Sequence, residues 1–209
     1  MQTIKKIGLH NSGSLGTNTL AKSSHLTLQQ INQGHKDRDF IFSEMGFYVG
    51  YNVLVFPDGT WKQTRLIGEE TCASRGSNLN TFHICLLGNF NKDSETPTLA
   101  QKDTTKTLIN AVISGYPQEI GLKVKAGTII NVSSKDIFPH RVLQPTTECY
   151  GTSLSDSWGR ELVALNVPSQ QMTLWAGLLE LVQKMLALLL ANKPLAGKGV
   201  PCSELDVKG

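Results

Sequence analysis

The sequence has no basic stripe interleaved with aromatics, and its formal net charge is only +3. A nucleic-acid ligand is therefore not implied, because affinity for a phosphate backbone needs clustered Lys and Arg. A solvated, mildly basic surface is the plain reading, and it is compatible with weak attraction to an anionic cell wall. No apolar run of signal-peptide length precedes the first predicted strand, which Met1-Gln2-Thr3-Ile4-Lys5-Lys6 enters at once. The chain is thus expected to be made in the cytosol and to reach any external substrate by another route. Cysteine is sparse: Cys72, Cys85, Cys149 and Cys202 lack the dense spacing of a disulfide framework and read as reduced thiols. No internal repeat is present. What remains is an ordinary globular composition, 209 residues with 40% hydrophobic and 18% charged, enough to bury one core with some sequence left over.

The pattern of polar and apolar residues predicts an α/β fold, a single domain with a central mixed β-sheet flanked by helices. Ile4 to Leu9 reads as an opening strand ending on His10-Asn11-Ser12, and Ser12 to Asn18 as a turn-rich loop. Thr27 has the chemistry of an N-cap for a helix in which Leu28 and Ile31 share a face, with Gly34 ending the pattern. Phe47 to Phe56 is rich in β-formers and predicts a strand that stops at the turn Pro57-Asp58-Gly59, Thr60 to Arg65 returning as the second arm of a hairpin. Thr81 to Leu87 is apolar on both faces, as expected in the middle of a covered sheet. Thr98, after Pro97, opens a helix that gathers Thr105, Leu108, Ile109, Val112 and Ile113 on one face and ends at Gly115. Further strands are expected near Leu122 to Ala126 and from Ile129 toward His140.

From Thr152 the pattern thins, placing the end of this first domain at residue 166 and a linker at 167–171. The following stretch, 172–193, predicts an apolar helix: Leu174, Leu178, Leu181, Met185 and Leu188 step by four and three, and Trp175, Leu179, Val182, Leu186 and Leu189 repeat the step one position on. Residues 194–209 read as an irregular tail. A helix from Met172 to Ala191 would be about 30 Å long, enough to span a bilayer. Glu180 and Lys184 fall near its middle, however, each charge costing roughly 2.5 to 3.5 kcal/mol at a bilayer centre. Two adjacent seams suit helix packing better, either between copies in a small homo-oligomer or onto the first domain, with membrane contact the lesser expectation.

The chemistry concentrates in Ile137 to Gly151, which holds His140 and Cys149 nine positions apart. Imidazole and thiolate both bind Zn²⁺ well, and a loop containing Gln144, Pro145 and two threonines can fold back to bring them to one ion. His10, at the carboxyl end of the opening strand, offers a third ligand. Three protein ligands leave one tetrahedral position for water, which is the arrangement of a catalytic site.

The ordered set resembles the zinc-dependent N-acetylmuramoyl-L-alanine amidases of the phage lysozyme and peptidoglycan recognition protein superfamily, the type 2 amidase domain. That pattern runs His-x-Ser after a strand, Gly-Tyr through Asp-Gly, Gly-x-Asn, then His and Thr-x-Cys-x-Gly. It is matched by His10-Asn11-Ser12, Gly50-Tyr51 through Asp58-Gly59, Gly76-Ser77-Asn78, His140, and Thr147-Glu148-Cys149-Tyr150-Gly151, over roughly the first three quarters of the chain. Ile31, His35, Lys36 and Arg38 match a helix signature of the same family, with His35 read as structural.

The resemblance implies a zinc enzyme that hydrolyses the amide between N-acetylmuramic acid and L-alanine in peptidoglycan, as a phage endolysin or a virion-associated enzyme would. It implies His10, His140 and Cys149 as metal ligands, Tyr51 as the catalytic phenol, and Thr147 as a hydroxyl donor where phage members often carry Lys. Gly76 and Asn78 would shape the groove for the stem peptide. Cys85 stands where several relatives carry a glutamate base, as in phage-type members with cysteine. His83 shares the side-chain parity of Cys85 and could face the site as an outer support or a surrogate base, against the simpler reading of a hydrogen-bonded core histidine. Two other readings stay open: a non-catalytic peptidoglycan-binding module of the same fold, which usually lacks the cysteine ligand, and a purely structural zinc closed by Cys72 or Cys85.

Overall fold

The computed structural model describes residues 1–13 and 20–164. The expected linker, apolar helix and tail (167–209) lie outside the described residues, as does most of the Ser12 to Asn18 loop. The described chain runs through β1 (Gln2–Ile4), β2 (Lys6–Asn11), α1 (Leu28–Lys36), β3 (Val53–Val55), β4 (Trp61–Gln63), β5 (Thr81–Leu86), α2 (Leu99–Ile113), β6 (Thr128–Ile130), β7 (Ile137–Pro139), α3 (His140–Leu143) and α4 (Trp158–Ala164). The main sheet has the order β4-β3-β5-β2-β7, antiparallel only at β3–β4 and parallel elsewhere, while β1 and β6 form a separate parallel pair. This is the mixed sheet that the sequence predicts.

β5 occupies the centre, and all six of its residues are buried. Its two faces serve different purposes. Phe82, Ile84 and Leu86 join Ile7 and Leu9 of β2, Val53 and Val55 of β3, and Leu108, Ile109 and Val112 of α2 in the larger core. Each such side chain removed from water contributes roughly 1.5 to 3 kcal/mol. The opposite parity carries His83 and Cys85 on β5, with Gly8 and His10 as their cross-strand partners on β2. Ile31 of α1 packs on that side against Leu54, Cys85 and Leu87. One sheet face is therefore hydrocarbon, while the other mixes hydrocarbon with imidazole and thiol.

Both long helices begin with reciprocal capping boxes, Thr27 with Gln30 and Thr98 with Gln101, an arrangement that satisfies two otherwise unpaired N–H groups and is worth about 1 kcal/mol. Gly34 does not end α1, which continues to Lys36. Burial of His35 and its hydrogen bond to the Gly50 amide outweigh the cost of about 1 kcal/mol for glycine inside a helix.

The expected strand Phe47 to Phe56 shrinks to Val53–Val55, because side chains take up the backbone groups that a ladder would use. Tyr48 N–H donates to Asn32 Oδ1 at 2.6 Å, Gly50 N–H to His35 Nδ1 at 3.0 Å, and the Val49 carbonyl accepts from Arg65 Nε at 2.6 Å. Likewise the expected strand Leu122 to Ala126 is reduced to a single bridge between Ile67 and Val124. The amide of Gln63 replaces a strand partner by bonding both the N–H and the C=O of Lys123. The short strand β6 comes just after. The thinning region after Thr152 contains α4, whose Gly159 lies so close to Leu9 and Ile137 that a Cβ there would come within 2.4 and 2.8 Å of them. Among the described residues no helix is long and apolar enough to cross a membrane.

Arg65 is fully buried and ties two loops together. Its guanidinium donates to the carbonyls of Val49, Glu70 and Ile41 and lies 3.5 Å from the Glu69 carboxylate. A buried cation survives when it is paired and hydrogen-bonded in this way. The loops it joins form one wall of the groove described next.

Candidate metal centre

His10 reaches the site because β2 runs parallel to β5, in register His10 to Cys85 and Gly8 to His83. β7 pairs with the other edge of β2, Leu9 opposite Pro139, so the chain leaves β7 beside His10. Pro139 ends the strand and His140 opens α3. The following loop closes through Arg141 N–H to the Cys149 carbonyl at 2.8 Å, which returns Cys149 to the end of β2. The Arg141 side chain then holds the outgoing chain, donating to the Gly151 and Leu154 carbonyls and to Asp156. Gly151 has φ of 100°, and a Cβ there would lie 2.2 Å from the Phe90 carbonyl oxygen. The glycine of Thr-x-Cys-x-Gly is thereby explained.

The ligand atoms of His10, His140 and Cys149 all lie within 4.8 Å of one another. Cys149 Sγ is 3.8 Å from His10 Nδ1 and accepts the Asn11 N–H at 3.4 Å. The His10 and His140 rings stand 4.5 Å apart between centroids. Each imidazole has a polar neighbour at Nε2. His10 Nε2 is 2.8 Å from His83 Nδ1, and His140 Nε2 is 3.3 Å from Gln144 Oε1, which also accepts the Arg75 N–H.

Burial first, and then the neighbouring His83 and His140, hold His10 well below the ordinary histidine range; burial also lowers His140. Both rings are therefore neutral and keep a lone pair. Burial pushes the Cys149 thiol up to about 12, with the Asn11 amide and Arg141 offsetting it only in part. Two neutral imidazoles and a thiol that lacks a strong cationic partner form a donor set suited to Zn²⁺, which binds sulfur and imidazole and deprotonates the thiol on binding. Among the described residues neither Cys72 nor Cys85 belongs to this cluster. The donor set has three members, as an open site requires, and gives no support to a closed structural one.

The Tyr51 ring packs 4.9 Å from His10. Burial, then the Cys85 and Cys149 thiols, raise its phenol, which bonds Cys85, so the hydroxyl stays protonated at neutral pH. The Thr147 hydroxyl accepts the Cys149 N–H at 3.2 Å and keeps its own proton to donate. Gly76 and Asn78 line a groove of about 510 Å³ that also includes Arg38, Arg75, Tyr51, His140 and Gln144. Gly76 has φ of 81°. Asn78 Oδ1 accepts the N–H groups of Ala73 and Ser74, so this amide organises the loop. His35 also borders the groove, where its Nδ1 accepts the Gly50 N–H. Sequence reasoning missed Gly8 and Gln144; the one signal for Gly8 was a glycine within a strand, which marks a close approach.

No protein-family model matches the chain, and no curated protein is similar to it. Solved structures do share its fold. The N-acetylmuramoyl-L-alanine amidase endolysin LysCS from Clostridium intestinale is 21% identical, with a TM-score of 0.56, over 78% of this chain and 85% of that one. The Ph2119 endolysin, from a Thermus scotoductus bacteriophage, is 18% identical with a TM-score of 0.53, covering 78% and 86%. Bumblebee PGRP-SA is 15% identical with a TM-score of 0.51, covering 78% and 82%. At these identities the likeness is one of fold, and function has to be argued from the site.

Proposed function

We propose that this protein is a zinc-dependent N-acetylmuramoyl-L-alanine amidase that cuts between N-acetylmuramic acid and L-alanine in the bacterial cell wall, as an endolysin does. The observation that carries this reading is the convergence of His10, His140 and Cys149 within 4.8 Å, with His140 also lining the groove. The endolysins that share the fold support it. In this reading the domain that acts spans residues 1–166.

Zinc, when bound, supplies a Lewis acid that polarises a carbonyl and brings the pKa of water to about 7. The chain does the rest. His10, His140 and Cys149 would hold the metal, and His140 of the three lines the groove. Tyr51 keeps its phenolic proton because burial and the neighbouring thiols disfavour the phenolate, and it donates to the negative oxygen that develops as the amide carbonyl is attacked. Thr147, anchored through the Cys149 amide, adds a second hydroxyl but no positive charge. The groove walls of 70–78 and 38–41 orient the stem peptide, with Gly76 giving the backbone its turn and Asn78 keeping the loop in shape.

The test is digestion of purified peptidoglycan with and without a chelator. Free muramic lactyl groups and new amino-terminal alanine, abolished by the chelator and restored by zinc, are the expected result. The fold neighbour PGRP-SA favours a second reading, a module that binds peptidoglycan without cutting it. Saturable binding with no release of alanine amino groups would establish that instead.

A further inference from the structure

We propose that His83 is a positioning residue for His10, and that Gly8 is the gap in the neighbouring strand that admits it. The inference rests on the reading that His10, His140 and Cys149 hold a divalent metal, and it names what aims the first of them. His10 and His83 are both fully buried, and His10 Nε2 lies 2.8 Å from His83 Nδ1. Exactly one proton can lie between two neutral ring nitrogens at that distance, and the geometry alone leaves its owner open. Metal binding decides it. Cys149 Sγ lies 3.8 Å from His10 Nδ1, so Nδ1 is the atom that presents a lone pair to the cluster. The ring's proton then stays on Nε2 and is donated to His83 Nδ1. His83, as a neutral imidazole, in turn carries its own proton on its other ring nitrogen, Nε2.

The chain builds this pair deliberately. Asn52 grips the backbone of His83 from both sides, its Oδ1 accepting the His83 N–H at 2.8 Å and its own N–H donating to the His83 carbonyl at 3.0 Å. Opposite His83 in the parallel register stands Gly8. A Cβ at Gly8 would lie 2.6 Å from His83 Nδ1 and 3.0 Å from Cε1, so any side chain there displaces the ring from its place beside His10. The usual partner behind a metal-bound histidine is a carboxylate, a backbone carbonyl or a water. A neutral imidazole does the same orienting work without adding negative charge to a buried site. It also decides between the two roles open to His83: its Nδ1 lone pair is spent on His10, so it cannot serve as the base that takes a proton from water.

The experiment compares His83→Leu and His83→Asn in the full-length chain, because Asn Oδ1 falls where His Nδ1 stood while Leu keeps volume without an acceptor. The readouts are zinc affinity by chelator competition and the visible spectrum of the Co²⁺-substituted protein, neither of which depends on peptidoglycan turnover. Thermal unfolding of the metal-free variants reports folding separately. The expected result is a loss of zinc affinity of about 10- to 100-fold in His83→Leu, with a weakened Co²⁺ band, and recovery to within a few-fold in His83→Asn. Wild-type affinity in His83→Leu, or equal losses in both variants, would overturn the positioning role while leaving the metal site standing. Failure of the wild-type chain to bind zinc at all would overturn both.

Discussion

His35, on α1, accepts the backbone N–H of Gly50 at 3.0 Å, and Gly50 is the residue before Tyr51. The contact requires a neutral imidazole, since a protonated ring has no lone pair for that N–H. Burial, followed by the nearby Arg38 and Arg65, lowers His35 to about 4. Between that value and the ordinary 6.5 the unfolded chain binds the proton that the folded chain refuses. The stabilisation is therefore complete above pH 6.5 and is lost as pH falls from 6.5 toward 4, by at most about 3 kcal/mol. Urea unfolding at pH 7.5 and pH 4.5 checks it: the gap between the two should be smaller in His35→Gln than in the wild type, and equal gaps would refute the assignment.

Tyr51→Phe removes one hydroxyl and leaves the ring against His10. Zinc content should stay unchanged and stability should fall by only about 1 kcal/mol from the lost bond to Cys85, while the rate of muramoyl-alanine cleavage falls by roughly 10²- to 10³-fold, the cost of losing one oxyanion donor. Turnover at the wild-type rate would reduce Tyr51 to packing.

Cys149→Ser exchanges a thiol for a hydroxyl that zinc binds poorly at neutral pH. We expect about one zinc per chain in the wild type and a large drop in the variant, measured by elemental analysis after dialysis, together with loss of cleavage. Full activity in a metal-free variant would contradict the mechanism.

Gly8→Ala adds a methyl group 2.6 Å from His83 Nδ1 and 3.0 Å from Leu143 Cδ1. Zinc affinity should fall by about tenfold or more, as it does when the partner behind a ligand is lost. Combining it with His83→Leu should cost little beyond the worse single variant, because both act on the same contact. Fully additive losses, read by chelator competition, would show that the two sites are independent.

Arg65→Met should destabilise the fold by roughly 3 to 5 kcal/mol, since it strips the carbonyls of Val49, Glu70 and Ile41 of their donor and leaves the Glu69 carboxylate with only the Glu44 and Leu66 N–H groups. The damage should extend to the groove, whose walls these loops form. Denaturant unfolding measures the first effect, and protection of the 41–50 amides from hydrogen exchange the second.

Much of this was legible in the sequence because the signals were local or ordered. The alternation and apolar runs located β5 and the β3–β4 hairpin, and Thr27 and Thr98 opened α1 and α2 where they occur. Elements whose boundaries depend on distant partners were misjudged. Phe47 to Phe56 has strand composition, yet Asn32, His35 and Arg65 claim its backbone groups from elsewhere in the chain. Gln63 does the same to Lys123, and α4 is held by its fit against Leu9 and Ile137, which no periodicity in seven residues reveals.

The candidate site divides along the same line. The sequence by itself determined the donor types and their order, because an imidazole after a strand and a His and Cys on either side of a turn-rich loop are covalent facts of the chain. Only the tertiary structure decided that these atoms meet within 4.8 Å, because that depends on the parallel register of β2 with β5 and β7. The same register put His83 over Gly8 and against His10, converting a histidine of uncertain purpose into a hydrogen-bond partner. Contacts of this kind are set by which strand lies beside which, and the free energy that chooses the pairing is spread over the whole buried core.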